Sequence, residues 1–275
     1  MISISPIPIF NDNYVWLIEH ENGNACVVDP GDAEPVQEVL KARGLTLTSI
    51  LVTHHHWDHT DGIEQLVAAY QDVDVYGPSS NKIPQITRIQ QHDGNIDLFG
   101  DLSISFKVIA VPGHTNEHIA YFADASDNND RANFNIQNNL NQPILFCGDT
   151  LFAGGCGRLL GGTAEQLFSS LKALATLPTN TQVYCTHEYT LANLAFAEAV
   201  EPSNELLKAR VNVESIKRDN GMPTLPSSIE LEQQTNPFLR CAQAEVMTTI
   251  NRHWKKSWQS ELQLFAGLRL WKDNF

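Results

Sequence analysis

Ile50-Leu51-Val52-Thr53-His54-His55-His56-Trp57-Asp58-His59 is an apolar run followed, between Thr53 and His59, by four histidines and one aspartate; a helical pattern then covers Asp61 to Tyr70. Imidazole nitrogens and carboxylate oxygens are the ligands that zinc, iron and manganese accept, and strand ends are where α/β folds carry function. An isolated histidine is more often an ordinary polar residue, but H-x-H-x-D-H directly after a strand-like run reads as a metal loop. Three further runs end in the same way: Val111-Pro112-Gly113-His114-Thr115, Phe146-Cys147-Gly148-Asp149-Thr150 and Val183-Tyr184-Cys185-Thr186-His187-Glu188. Taken singly, His114 and His187 are as easily buried structural histidines, and Asp149 a cap or turn residue. Together with the first cluster they make a ligand set large enough for two ions about 3.5 to 4 Å apart with a carboxylate bridge. A coordinated water with its pKa lowered to about 7 needs no serine or cysteine nucleophile beside it. The chain has neither a G-x-S-x-G elbow nor a P-loop.

Around these segments, short β-branched runs (Ile2 to Ile9, Val15 to Ile18, Ala25 to Val28, Ile50 to Thr53, Ile104 to Val111) alternate with helical patterns at Ala33 to Arg43, Asp61 to Tyr70 and Ala164 to Leu174, the last preceded by the N-cap candidate Thr163. From Leu191 onward the pattern is mostly helical: Leu191 to Val200, Asn204 to Arg218, Ala242 to Trp254. The reading predicts a layered α/β metal-binding catalytic domain over residues 1–189 and a mainly helical substrate-binding domain over 190–275. The Asn- and Asp-rich stretch 125–142 reads as a surface loop.

The 275 residues, 42% of them hydrophobic, suffice for a substantial core, and no apolar run approaches the roughly 20 residues of a membrane span. The formal charge of -14 excludes a broad nucleic-acid or anionic-membrane footprint. That charge is uneven: residues 1–199 hold 8 Lys or Arg against 23 Asp or Glu, whereas 200–275 hold 10 against 9. An anionic small molecule would meet least repulsion in the C-terminal part. Five scattered cysteines without C-x-x-C spacing, and an N-terminus without a basic leader, lead us to expect a cytoplasmic protein with reduced thiols. No self-complementary surface stands out, so a monomer is the default expectation.

The metal motifs, together with Asn13-Tyr14-Val15-Trp16, Val28-Asp29-Pro30-Gly31, Gly155-Cys156-Gly157-Arg158 and His187-Glu188-Tyr189-Thr190, resemble those of the glyoxalase II family of the metallo-β-lactamase superfamily over nearly the whole chain. The resemblance implies an αββα sandwich with a small C-terminal helical domain. It also implies a thioester hydrolase that converts S-D-lactoylglutathione to glutathione and D-lactate, the second step of methylglyoxal detoxification. By this likeness His54, His56 and His114 hold one divalent ion, Asp58, His59 and His187 hold the other, and Asp149 bridges them. Zinc is the expected metal, with iron or manganese accepted by the same donors. Asp58 and Asp149 are expected to orient the attacking hydroxide.

Arg158, Tyr189, Arg269 and Lys272 occupy the family's glutathione-binding positions, and a ligand with two carboxylates calls for local cations. If the tail is helical, the i, i+3 spacing of Arg269 and Lys272 points them the same way. The chain departs from the family at Leu160, where an aromatic is common, and at Gly161, where an acidic residue is frequent. The closest rivals are a glutathione persulfide dioxygenase with a single iron and another thioesterase of the same fold. A scaffold that has lost catalysis would lack a ligand, yet all seven positions are filled. His20, His92, His118 and His253 match no ligand motif and read as structural, the family pattern leaves His55 unused, and Trp57 is expected to pack beside the metal loop.

Overall fold

The computed structural model describes residues 2–100, 104–125 and 140–275; most of the Asn-rich stretch, residues 126–139, lies outside them. The chain forms two compact units, residues 1–110 with 117–148 and residues 111–116 with 149–275. A boundary at 189/190 therefore falls inside the second unit.

The first unit contains two sheets. Strands β1 (Ile2–Ile9), β2 (Asn13–His20), β3 (Asn24–Val28), β4 (Thr46–Leu51), β5 (Asp74–Pro78) and β6 (Arg88–Gln90) lie in sequence order. The β1, β2 and β3 pairings are antiparallel and those from β3 to β6 parallel. Helices α1 (Ala33–Arg43), α2 (Trp57–Thr60) and α3 (Ile63–Ala69) connect them. Of the second sheet this unit holds an antiparallel meander of β7 (Asn95–Leu98), β8 (Ile104–Ala110), β9 (Ile119–Ala123) and β10 (Ile144–Gly148).

Almost every residue of β2 and β3 is buried, the mark of strands covered on both faces. On one side Val36 and Leu40 of α1 and Leu66 of α3 pack with Val15, Leu17, Val27 and Ile50 in one apolar cluster. On the other the second sheet approaches, and the Tyr121 hydroxyl of β9 donates to the Val52 carbonyl at 2.7 Å. Helix α1 starts where Asp32 accepts from the Glu34 amide and stops at Gly44 in the left-handed region, as N-cap and C-cap chemistry requires.

Two details depart from the sequence reading. The helix expected over Asp61 to Tyr70 is present as α3, beginning two residues later, and the separate short α2 ahead of it was not expected; the Gly62 amide, bonded to the Pro30 carbonyl (3.0 Å), lies between them. Strand β4 begins at Thr46 and ends at Leu51, because the Thr53 amide turns away to the Asp29 side chain.

The second unit holds the short hairpin of β11 (Leu151–Phe152) and β12 (Gly155–Cys156), then α4 (Ala164–Leu174), β13 (Gln182–Cys185), α5 (Thr190–Val200), α6 (Glu205–Asp219), β14 (Ser227–Ser228), α7 (Ile229–Thr235), a 3-10 turn (Pro237–Leu239), α8 (Ala244–Trp254) and α9 (Glu261–Asp273). Thr163 and Gln166 form the capping box of α4, and Asn204 caps α6. Phe265 of α9 packs against Phe168 of α4 and Phe238 of the 3-10 turn.

The polar centre of this unit is Glu232, fully buried. Its carboxylate accepts from Arg210 Nη2 (2.6 Å), the Ser227 hydroxyl, the Asn236 amide (2.9 Å) and the Gly154 backbone amide (2.8 Å). Removing one partner of a buried ion pair strands the other without water. Glu232→Ala should therefore lower unfolding free energy by about 3–5 kcal/mol, read as a lower urea midpoint with an unchanged slope.

Candidate metal centre

In the first unit the loop after β4 carries His54, His56, Asp58 and His59, and a buried carboxylate behind it sets their chemistry. Asp29 sits in the left-handed region (φ 54) just after β3. It accepts from the Thr53 amide (2.8 Å), the Thr53 hydroxyl (2.8 Å) and His59 Nδ1–H (3.1 Å). The Thr53 hydroxyl has one proton and gives it to Asp29, so its lone pair accepts from His54 Nδ1–H at 3.0 Å. Both imidazoles are thereby held in the tautomer that leaves Nε2 as a lone-pair donor, the usual carboxylate–histidine arrangement of a metal site.

His54 Nε2 lies 3.0 Å from His56 Nδ1, and the His54 and His59 rings are 4.1 Å apart. Asp58 Oδ2 lies 3.7 Å from His59 Nε2 and accepts from Asn13 Nδ2 at 3.1 Å. The buried His118 ring stacks on His54 (4.6 Å, 16°). His55 turns to Glu117 and to Lys82 Nζ (2.8 Å). Trp57 is 61% exposed and leans on Phe10, so its packing against the metal loop is slight. Gly148, the residue before Asp149, has φ 45, and a Cβ there would collide with Thr53 Oγ1.

In the second unit His114, Asp149 and His187 meet. His114 Nε2 lies 3.5 Å from Asp149 Oδ2, and His187 Nε2 lies 3.3 Å from Asp149 Oδ1. His114 Nδ1–H donates to the Arg158 carbonyl (2.8 Å), so this ring too keeps Nε2 for a ligand. The His187 ring stacks on Tyr189 (4.6 Å, 3°). Nitrogen lone pairs gathered beside carboxylate oxygens, with the rings of His54, His59 and His114 fixed from behind, are a donor set that fits a divalent transition metal.

The four positions expected to meet glutathione all lie in the second unit and differ in character. Arg158 is exposed, its Nε 3.8 Å from Asp273. Arg269 is buried and donates to the Cys156 carbonyl (2.8 Å) and to Asp273 Oδ1 (2.9 Å), so it braces the loop that carries Arg158. Lys272 Nζ donates to the Ala192 carbonyl (3.0 Å) and lies over the Phe196 ring. Burial, then the neighbouring Arg269 and Arg158 charges, pull its pKa down to about 8. Tyr189 is about one-third exposed (37%). Leu160 is exposed and Gly161 follows it, as in the departure noted above.

All five cysteines are buried. Burial pushes the thiols of Cys26, Cys185 and Cys241 far up and that of Cys156 up to about 11, the last in spite of the Arg269 guanidinium.

Comparison with known proteins bears on both parts of the chain. The family model for the metallo-beta-lactamase superfamily matches residues 9–127, and that for the hydroxyacylglutathione hydrolase C-terminus matches residues 188–275. A relative named hydroxyacylglutathione hydrolase, from Ectopseudomonas mendocina, is 49% identical over 278 residues, with 100% of both chains covered. Among solved structures, ETHE1 from Myxococcus xanthus has a TM-score of 0.62 at 23% identity, covering 99% of this chain and 98% of its own. TTHA1623 in a di-iron-bound form has a TM-score of 0.56 at 26% identity, covering 86% and 100%. The layered α/β expectation thus meets a known fold, that of the metallo-β-lactamases.

Asp29→Asn keeps a side chain that tolerates the left-handed backbone but removes the charge that orients His59 and Thr53. Its metal affinity should fall by about 10–100-fold, measured by competition with a chromophoric chelator.

Proposed function

The chain belongs to the hydroxyacylglutathione hydrolase family, and from that premise we propose that His54, His56 and His114 hold one divalent metal ion, Asp58, His59 and His187 a second, and Asp149 both. The protein hydrolyses glutathione thioesters: water adds to the acyl carbon, the C–S bond breaks, and glutathione leaves as its thiolate while the hydroxy acid is released. With S-D-lactoylglutathione the acid is D-lactate, which places the reaction second in methylglyoxal detoxification. The observation that carries the site assignment is the set of imidazoles whose rear nitrogens are already committed, to Asp29, Thr53 and the Arg158 carbonyl. The trios His54–His56–His114 and Asp58–His59–His187 each offer three suitable ligand atoms. A relative's structure described as di-iron-bound supports two ions; of the metals these donors accept, we propose zinc.

When bound, the ions would supply Lewis acidity for the thioester carbonyl and lower the pKa of a coordinated water to about 7. Asp58, steadied by Asn13, and Asp149, held between His114 and His187, orient the attacking water. Arg158 and Lys272 offer cations to the glutathione carboxylates, Tyr189 gives a ring face and a hydroxyl, and Arg269 acts through the Cys156–Arg158 loop it braces. We divide the chain into a catalytic domain over residues 1–189, which holds the metals with Arg158 and Tyr189, and a substrate-binding domain over 190–275, which adds Arg269 and Lys272. Persulfide oxygenation is not favoured, since full-length relatives carry the hydrolase name. The -14 charge speaks against nucleic-acid and anionic-lipid partners, and our reading keeps the protein a cytoplasmic monomer.

Purified protein should consume S-D-lactoylglutathione, followed through loss of thioester absorbance, and prior chelation should abolish this until metal is returned. Asp149→Ala should lose more than about 100-fold in turnover. Wild-type turnover in that variant, or oxygen uptake with glutathione persulfide in place of hydrolysis, would overturn the reading. Because the Lys272 pKa is depressed, its ammonium is present below about pH 8 and lost above it. KM for the anionic substrate should therefore rise between pH 7 and 9, and Lys272→Met should flatten that rise.

A further inference from the structure

The β11–β12 hairpin has two residues in each strand and forms a small sheet of its own, too short to hold a position by its ladder alone. Its place is fixed instead by buried side chains from the helical part of the chain. Asn193 of α5 donates to the Ala153 carbonyl (3.1 Å). Asn236, at the end of α7, donates to the Phe152 (3.2 Å) and Gly155 (2.9 Å) carbonyls. The Gly154 amide donates to Glu232 of α7 (2.8 Å). The fit leaves little slack, since Gly154 is left-handed (φ 70) and a Cβ on Gly155 would stand 2.6 Å from Asn193 Cγ. Hydrogen bonds among buried groups are costly to leave unmade, so the hairpin has one favoured seat.

What the hairpin presents is Phe152. Its ring stands edge-on to His187 (5.8 Å, 88°) and to Tyr189 (5.4 Å, 84°), two rings that are themselves stacked. Edge-to-face contact restricts rotation of the rings it touches, and neither His187 nor Tyr189 can swing toward the hairpin while Phe152 stays.

We propose that Asn193, Glu232 and Asn236 are positioning residues for metal ligation: they seat the 151–156 hairpin so that Phe152 fixes the imidazole of His187. The C-terminal helices then do more than meet glutathione, because they hold one ligand of the metal centre in aim. The proposal rests on the reading of His187 as a ligand. That reading has its own check: His187→Ala should load one equivalent of zinc, and full loading of two would sink it without reference to the hairpin.

The test measures zinc release from the loaded protein into excess chromophoric chelator. Phe152→Leu keeps an apolar side chain but removes the ring edge, and Asn236→Ala removes two of the four hairpin bonds. Both should release one of two equivalents at least about 10-fold faster than wild type, as expected when support behind a ligand is lost. Their kcat should fall with the lost ligand support. Leu40→Ala, a cavity in the α1 core, is the control for lost stability alone and should release zinc at the wild-type rate. Faster release in Leu40→Ala as well, or wild-type release and kcat in both hairpin variants, would overturn the proposal. If Asn236→Ala does not fold, Phe152→Leu decides alone. Release kinetics are read without substrate, so a failure to hydrolyse glutathione thioesters would count against the proposed function and leave this result standing.

Discussion

The histidines of the first unit's candidate metal loop are organised by a single anion, Asp29. A carboxylate buried without partners would cost several kcal/mol, and three donors offset that here: the Thr53 amide, the Thr53 hydroxyl and His59 Nδ1–H. The arrangement propagates. Because the hydroxyl of Thr53 spends its one proton on Asp29, it can only accept from His54, and a second imidazole is oriented one bond further on. The same pull draws the chain out of β4 after Leu51, which opens the loop in which His56 and Asp58 follow. Strand end, loop path and tautomers are consequences of where one negative charge is buried.

Much of this was legible in the sequence, for a physical reason: the elements best read were those whose local chemistry and tertiary role agree. Helix α1 runs over the span its pattern predicts, and Thr163 caps α4 with Gln166 completing the box. The helix expected over 61–70 is there as α3; what no local pattern encodes is the separate turn of α2 and the tertiary bond from Gly62 to Pro30 between them. Asp29 lay inside a quoted motif yet carried no assigned role, since nothing local says that its carboxylate meets residues 53 and 59. His118 matches no ligand motif and reads as structural; it is buried against the face of the His54 ring. The basic tail was read as a pair of like cations, and burial separates them: Arg269 faces inward to backbone carbonyls while Lys272 keeps a desolvated ammonium.

The second unit shows why a helical segment suits such a site. Helices bury side chains along one stripe, and a polar residue on that stripe can serve a neighbouring loop. Asn193, Arg210, Glu232, Asn236 and Arg269 are buried side chains of these helices or their caps, and their partners include backbone groups of the Gly-rich stretch 152–157. A loop with several glycines has few side chains of its own to define it, so its order is supplied by neighbours.

The depth of the cysteines has a meaning beyond packing. A thioester is an acyl donor to any thiolate it encounters, and a thiolate must be both ionised and reachable to react. Cys26, Cys156, Cys185 and Cys241 are sunk where the ionised form is disfavoured, Cys156 even beside a guanidinium. The same burial that packs the core therefore keeps these four thiols from taking an acyl group from the substrate.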